Sequence, residues 1–175
     1  MTSFLKSTAL AALITLSTAA AFADTTIAYP TADAATFTIN VPDDWELTPA
    51  EAEEDYFLVS SPSSVELWFR SMAISSGDEA AAVVEEAMTS GAEWLGEHYK
   101  GVELGEPTEG EREGLPTISV PGKGVDKESG EAVVFTIAFL FLKDGTLVEF
   151  WGILPVGDDE GREAAQAILD SFEPQ

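Results

Sequence analysis

Two neighbouring apolar segments, residues 132–142 and 146–154, constrain the fold of this chain more than any other feature. Successive side chains of a strand point to opposite faces, and both faces are apolar here. In the first segment one face would carry Val133, Phe135, Ile137, Phe139 and Phe141, and the other Val134, Ala138, Leu140 and Leu142. In the second, one face would carry Leu147, Trp151 and Ile153, and the other Val148, Phe150 and Leu154. Asp144-Gly145 between them is a strong hairpin signal. The pattern predicts a central hairpin that is covered on both faces.

Two amphipathic helices are available to cover that hairpin. Ser76-Gly77-Asp78-Glu79 is a capping box, which predicts a long helix from there to about Lys100-Gly101. A second helix is predicted from near Asp158 to just before Pro174. The fold class is therefore α/β (α+β), an α/β/α sandwich with a mostly antiparallel sheet flanked by helices.

Further strands are predicted on both sides of the long helix. They cover residues 36–41, 56–60, 65–74 and 115–120. The third of them carries Glu66 and Arg70 among apolar residues, so one of its faces is expected to meet solvent. The segment from Pro121 to Gly124 is predicted to be a loop.

Residues 1–23 are predicted to be a cleavable signal peptide. Lys6 precedes an apolar run, and Ala21-Phe22-Ala23 places small residues at the two positions that a signal peptidase reads. The run is shorter than the roughly 20 residues that a membrane span needs. The chain has no cysteine, so we expect neither a lipoprotein anchor nor disulfides. The expected product is a soluble periplasmic protein with one domain, residues 24–175, and no membrane span.

The acidic charge of the chain excludes several classes of partner. Residues 24–175 carry all 32 acidic residues but only 7 of the 8 Lys and Arg residues, a formal charge of −25. Such a surface repels phosphate backbones and anionic lipid headgroups. Nucleic acid and membrane-surface partners are therefore excluded. Solubility, or adaptation to a saline exterior, is the favoured interpretation of the charge, and a basic protein partner stays open.

The order of these elements, over the whole of residues 24–175, resembles the PsbP-like superfamily, which includes periplasmic PsbP- and DcrB-type proteins. The matching features are a strand leading into Asn40-Val41-Pro42-Asp43-Asp44-Trp45, the long helix after two strands, the Asp144-Gly145 hairpin, and a closing helix that ends in Ser171-Phe172. The resemblance implies a non-enzymatic accessory, scaffold or binding role. The resemblance identifies no ligand-binding residue in this chain, because members of the superfamily differ in their partners.

Residues that could support catalysis are few. The single histidine, His98, lies near the end of the long predicted helix, and there is no Gly-x-Ser-x-Gly elbow to supply a nucleophile. Pairs of carboxylates are expected by chance among 32 acids. We therefore predict that the protein is not an enzyme, has no catalytic residues and uses no cofactor. A small carboxylate-based periplasmic hydrolase remains an alternative.

Calcium is the one metal that the acidic clusters could bind, since it prefers oxygen ligands. One candidate cluster is Asp126, Glu128 and Glu131, and another is Glu51, Glu53, Glu54 and Asp55. Neither follows the spacing of an EF-hand loop, and solvated charge is the favoured interpretation of both. No metal site is predicted.

The aromatic residues supply the candidate ligand contacts. Trp45 follows a predicted turn, and it is the first candidate, with Tyr56 and Trp68 after it. Trp94 and Trp151 lie on apolar stripes and are expected in the core. The leading hypothesis is an exported, non-enzymatic accessory or binding protein that contacts an envelope protein, possibly a basic one. A carrier of a small apolar ligand, held between helix and sheet, is a further alternative.

Overall fold

The computed structural model describes residues 24–50 and 55–175. In chain order its elements are β1 (Asp24–Tyr29), β2 (Phe37–Pro42), β3 (Glu46–Thr48), β4 (Phe57–Ser60), β5 (Glu66–Ala73), α1 (Gly77–His98), β6 (Tyr99–Leu104), β7 (Thr108–Arg112), β8 (Leu115–Asp126), β9 (Ala132–Phe141), β10 (Thr146–Pro155), α2 (Asp159–Asp170) and β11 (Glu173–Pro174). The predicted signal peptide lies outside the described residues and stays a prediction.

The main sheet is antiparallel and has eight strands. Its strand order is β3-β4-β5-β10-β9-β8-β6, and β7 pairs with β8 beside β6. The predicted hairpin is confirmed as β9 and β10, which pair from Leu147 opposite Phe141 to Pro155 opposite Val133. Gly145 in its turn has a φ of +86°, a conformation that glycine adopts without steric cost.

Both faces of the hairpin are covered, as the apolar side chains on both faces predict. On one face, α1 contributes Ala87 and Leu95 to a core with Phe135, Ile137 and Leu147. On the other face, the cover is mixed, because α2 shares it with a three-stranded sheet of order β1-β2-β11. That layer contributes residues to a second core cluster, including Phe37, Ile39, Ala165, Ile168 and Phe172. The predicted α/β/α sandwich with a mostly antiparallel sheet is confirmed.

The cap of α1 differs slightly from the predicted capping box. Ser76 Oγ accepts a hydrogen bond from the backbone N–H of Glu79 at 3.2 Å, as expected. The Glu79 carboxylate, however, accepts from the backbone N–H of Ser75 at 2.6 Å and from the Ser75 hydroxyl. The helix ends at His98, two residues before the predicted stop, because Tyr99 already begins β6.

The predicted loop at Pro121–Gly124 is wrong, since these residues lie inside β8 and pair with β9. The glycines make room for an aromatic ring that crosses the strand. A Cβ atom at Gly122 or at Gly124 would lie 3.2 Å from the ring of Phe135, which is tighter than ordinary packing. Two glycines close together therefore mark a close approach in a strand here, and not a break in it.

Among the described residues, no helix combines the length and the hydropathy that crossing a bilayer requires.

Candidate functional site

A cavity of about 490 Å³ lies between α1 and the main sheet. Four aromatic side chains line it, Tyr56, Trp68, Trp94 and Trp151. The remaining lining residues are Arg70, Met72, Val83, Glu86, Ala87, Ser90, Gly91 and Ile153. We call this cavity the aromatic cleft.

The register between β5 and β10 builds the floor of the aromatic cleft. Trp68 lies opposite Trp151, and Arg70 lies opposite Glu149. Because alternate residues of a strand share a face, these four side chains point to the same side of the sheet, towards α1. Tyr56 directly precedes β4, and its ring centroid lies 4.5 Å from the guanidinium carbon of Arg70, within the range of a cation–π contact.

Glu149 is fully buried beneath the cleft, with 0% of its side chain exposed. Both Nε and Nη2 of Arg70 lie 2.6 Å from its Oε2 atom. The indole Nε1 of Trp151 donates to Oε1 at 2.6 Å. Both carboxylate oxygens therefore have protein donors, and the guanidinium compensates the buried charge.

The third nitrogen of the Arg70 side chain, Nη1, is a donor without a partner among the described residues. Among the described residues no buried side-chain nitrogen or oxygen lacks a partner, and the Arg70 side chain is 24% exposed. Nη1 is therefore accessible, on a side chain that lines the cleft.

The aromatic rings of the cleft contact one another edge to face. The Trp94 ring centroid lies 6.1 Å from that of Trp68, at 65°, and 6.1 Å from that of Trp151, at 87°. Tyr56 and Trp68 are 6.3 Å apart at 83°. Aromatic pairs in such arrangements contribute more to stability than the burial of their surface area alone provides. The four rings therefore pack against one another as well as lining the cleft.

Gly91 is the residue of α1 that allows Trp151 to fit beneath the helix. A Cβ atom at this position would lie 2.5 Å from Cζ2 of Trp151 and still closer to Cη2. Any side chain here would therefore displace the indole from its place.

Tyr56 remains a neutral phenol in the folded protein. Burial is the largest cause that raises its pKa far above the usual value, and the negative charge of Glu149 raises it further. The positive charge of Arg70 opposes this shift and does not cancel it. The hydroxyl can therefore act as a hydrogen-bond donor, and not as a phenolate base.

The raised pKa of Tyr56 predicts a loss of stability at alkaline pH. A group whose pKa is higher in the folded than in the unfolded state stabilises the fold fully below the unfolded value, near 10 for tyrosine, and progressively less above it. Urea midpoints of the wild type should fall above about pH 10, and Tyr56→Phe should make this fall shallower. Tyr99→Phe is the comparison variant, because burial also raises the pKa of Tyr99, in this case to about 12. Identical alkaline profiles for the wild type and Tyr56→Phe would contradict the prediction.

The structure separates the three candidate ligand residues that the sequence suggests. Tyr56 and Trp68 both line the aromatic cleft. Trp45 is partly buried against the core on the opposite side of the sheet. Trp151 is buried in the core as expected, whereas Trp94 is half-buried and lines the cleft. A ligand role for any of them stays a prediction.

Two important residues were missed from the sequence. Arg70 was expected to face solvent, but α1 covers that face of β5 and the side chain turns to Glu149. Glu149 lies in a largely apolar strand, whose pattern by itself does not indicate a role for it. The available signal was that it is the one charged residue of β10, since a lone charge in a doubly covered strand requires a buried partner.

His98, the histidine considered for catalysis, does not line the aromatic cleft. His98 is exposed, and its Nδ1 atom lies 2.8 Å from the carbonyl oxygen of Trp94, on which its ring also stacks. Within residues 24–50 and 55–175, no three His, Asp or Glu side chains are grouped as metal ligands.

The calcium candidates Asp126, Glu128 and Glu131 lie at the end of β8 and in the turn that leads to β9. Oδ1 of Asp126 accepts hydrogen bonds from the backbone N–H groups of Ser129, at 2.6 Å, and Glu128, at 3.0 Å. The bonds from Ser129 are the main cause that holds the pKa of Asp126 below its usual value. This carboxylate thus caps a turn. Of the other candidate cluster, Glu51, Glu53 and Glu54 lie outside the described residues.

Comparison with known proteins identifies the fold. No protein-family model matches the sequence, and no curated protein sequence matches it either. Cyanobacterial PsbP (CyanoP) from Synechocystis sp. PCC 6803 is similar in structure, with a TM-score of 0.58 at 10% identity, over 93% of this chain and 99% of that one.

Two other solved structures are also similar. The Ran-binding protein Mog1p of Saccharomyces cerevisiae has a TM-score of 0.51 at 12% identity, over 87% of this chain and 96% of that one. LpqN of Mycobacterium tuberculosis, a protein involved in cell envelope biogenesis, has a TM-score of 0.51 at 16% identity, over 86% and 89%. Together with the sheet order and the two covering layers, these matches show that the chain has the PsbP-like superfamily fold.

Proposed function

We propose that the chain is an exported, non-enzymatic binding protein of the cell envelope, and that its aromatic cleft holds a small apolar ligand. The observation that carries the proposal is the cleft itself, in which four aromatic side chains surround about 490 Å³. Ligand sites are typically cavities of about 300–1,000 Å³ with mostly apolar walls and a few placed polar groups. Export rests on the sequence of residues 1–23.

A binding role fits the chemistry of the cleft better than catalysis does. Both oxygens of Glu149 already accept hydrogen bonds, and Tyr56 holds its proton. Neither group is therefore poised as a nucleophile or general base. The similar structures include a Ran-binding protein and a protein involved in cell envelope biogenesis, which supports a binding or accessory role.

The proposal is tested with an uncharged fluorescent hydrophobic probe, N-phenyl-1-naphthylamine. Its emission should rise on binding to the wild type with saturation at one site. Ser90 is exposed and lines the cleft, so Ser90→Phe should fill the space and weaken binding about tenfold or more, a loss of at least 1.4 kcal/mol.

Thr89→Phe is the matched control, because Thr89 is the exposed neighbour of Ser90 on α1 and does not line the cleft. It should bind the probe as the wild type does. Thermal unfolding of all three proteins establishes that each is folded. Failure of the wild type to bind, or equal weakening by both variants, would refute the proposed site.

A second candidate function, contact with a basic envelope protein, is favoured by the charge of α1. The helix carries six acidic residues, Asp78, Glu79, Glu85, Glu86, Glu93 and Glu97, and neither Lys nor Arg. A basic surface would be attracted to this face, and the attraction would weaken as salt rises. Binding of an apolar molecule in the cleft has no such salt dependence, so the two candidates are distinguishable.

A further inference from the structure

The charges around the aromatic cleft restrict the kind of ligand that it can accept. Arg70 is already compensated by Glu149 at 2.6 Å. The acidic residue Glu86 lies on the cleft wall, and α1 carries five other acids but no Lys or Arg. An anionic ligand would therefore meet a negative surface, and the one nearby cation already has a carboxylate partner.

A cationic ligand is disfavoured for a different reason. Arg70 already makes a cation–π contact within the cleft, since its guanidinium carbon lies 4.5 Å from the Tyr56 ring centroid. A ligand cation would compete with the guanidinium for that ring, and the carboxylate beside Arg70, that of Glu149, already accepts hydrogen bonds at both oxygens. What Arg70 still offers is its accessible donor, Nη1, which requires an acceptor.

We propose that the cleft selects an uncharged aromatic ligand that carries an oxygen acceptor, and that this acceptor binds Nη1 of Arg70 while the ring packs among the tryptophans. The inference rests on the proposed function, and it adds the charge state and the polar anchor of the ligand. Hydrogen bonds to a charged donor contribute about 1.5–3 kcal/mol, which corresponds to a tenfold or greater gain in affinity.

Three nearly isosteric compounds test the charge state: 2-naphthamide (neutral), 2-naphthoate (anionic) and 2-naphthamidine (cationic). Binding is followed by the indole N–H signals in 15N-resolved NMR spectra. Signals of Trp68, Trp94 and Trp151 should shift on titration. The signal of Trp45, on the other side of the sheet, is the internal control and should not move.

We expect the amide to bind at least about tenfold more tightly than either charged analogue. The polar anchor is tested by the ratio of affinities for 2-naphthamide and naphthalene, which lacks the acceptor. This ratio should fall towards one in the double variant Arg70→Met/Glu149→Gln, which removes the donor together with its counter-charge.

The outcomes separate this inference from the proposed function. Equal or tighter binding of the carboxylate or the amidine would overturn the inference and leave the cleft as a binding site. An unchanged amide-to-naphthalene ratio in the double variant would overturn the anchoring role of Arg70. Absence of binding for all four compounds would overturn both the inference and the proposed function.

Discussion

Replacing Arg70 by methionine is expected to lower the free energy of unfolding by about 4 kcal/mol, because it leaves Glu149 buried and without its counter-charge. The Glu149 side chain has no exposed surface, so its charge depends on the guanidinium for compensation. Replacing Glu149 by glutamine should cost less, about 3 kcal/mol, because Arg70 is 24% exposed and partly solvated. Urea unfolding near neutral pH measures both changes.

The double variant Arg70→Met/Glu149→Gln tests the coupling between the two charges more directly than either single variant does. Removing both charges together costs less than leaving one of them unpaired. In the R70M background, Glu149→Gln should therefore raise stability, although the same change lowers it in the wild type. The glutamine oxygen can still accept the indole N–H of Trp151, which donates to Glu149 at 2.6 Å.

The exposed pair of Lys123 and Glu103 is the matched control for this cycle. Its atoms are 2.8 Å apart, but its side chains are 65% and 69% exposed. Glu103→Gln should therefore change stability by no more than about 0.5 kcal/mol. If the effects of the Arg70 and Glu149 substitutions simply add, the two residues are not coupled and the account of the buried pair is wrong.

Gly91→Ala is expected to destabilise the protein by about 2 kcal/mol, although alanine is the better helix former. The propensity gain of about 1 kcal/mol is outweighed by overpacking, which typically costs about 1–3 kcal/mol and occasionally more. The contact is severe, since the new Cβ atom would lie 2.5 Å from Cζ2 of Trp151. The near-ultraviolet circular dichroism of the tryptophans should change as well, because the indole must move.

Gly96→Ala on the same helix is the control for Gly91→Ala. Nothing lies within 4 Å of a Cβ atom at Gly96, and neither glycine has a positive φ. Gly96→Ala should therefore stabilise the protein by about 0.5 kcal/mol. A stability gain in both variants would show that Trp151 is free to move aside, and that the aromatic cleft is not rigid.

Sequence periodicity was enough to predict that the hairpin lies between two covering layers, but not that a three-stranded sheet shares one of these layers with α2. Residues 132–154 are apolar on both faces, and a strand of that kind can be stable only between two covering layers. The capping box at Ser76 and the apolar stripe of α1 supplied one of these layers. Local patterns were less reliable where distant residues intervened, as at Gly122 and Gly124, whose lack of a Cβ atom admits the ring of Phe135.

The same reasoning from the sequence predicted only part of the candidate site. Their positions in the sequence suggest Tyr56 and Trp68 as ligand contacts after Trp45, and both line the aromatic cleft. Trp45 met the same criterion and lies against the opposite core. A side chain's position in its own strand indicates the alternation of faces, but it does not say which face of the sheet each alternate set will occupy.

The sequence by itself determined that the chain has a doubly covered antiparallel hairpin and an acidic helix, since both follow from the order of side chains within a short segment. The tertiary structure alone decided that Arg70 meets Glu149, 79 residues away, and that Trp151 fits under Gly91. The reason is physical: pairing of β5 with β10 fixes a register that no local propensity encodes, and the cleft exists only in that register.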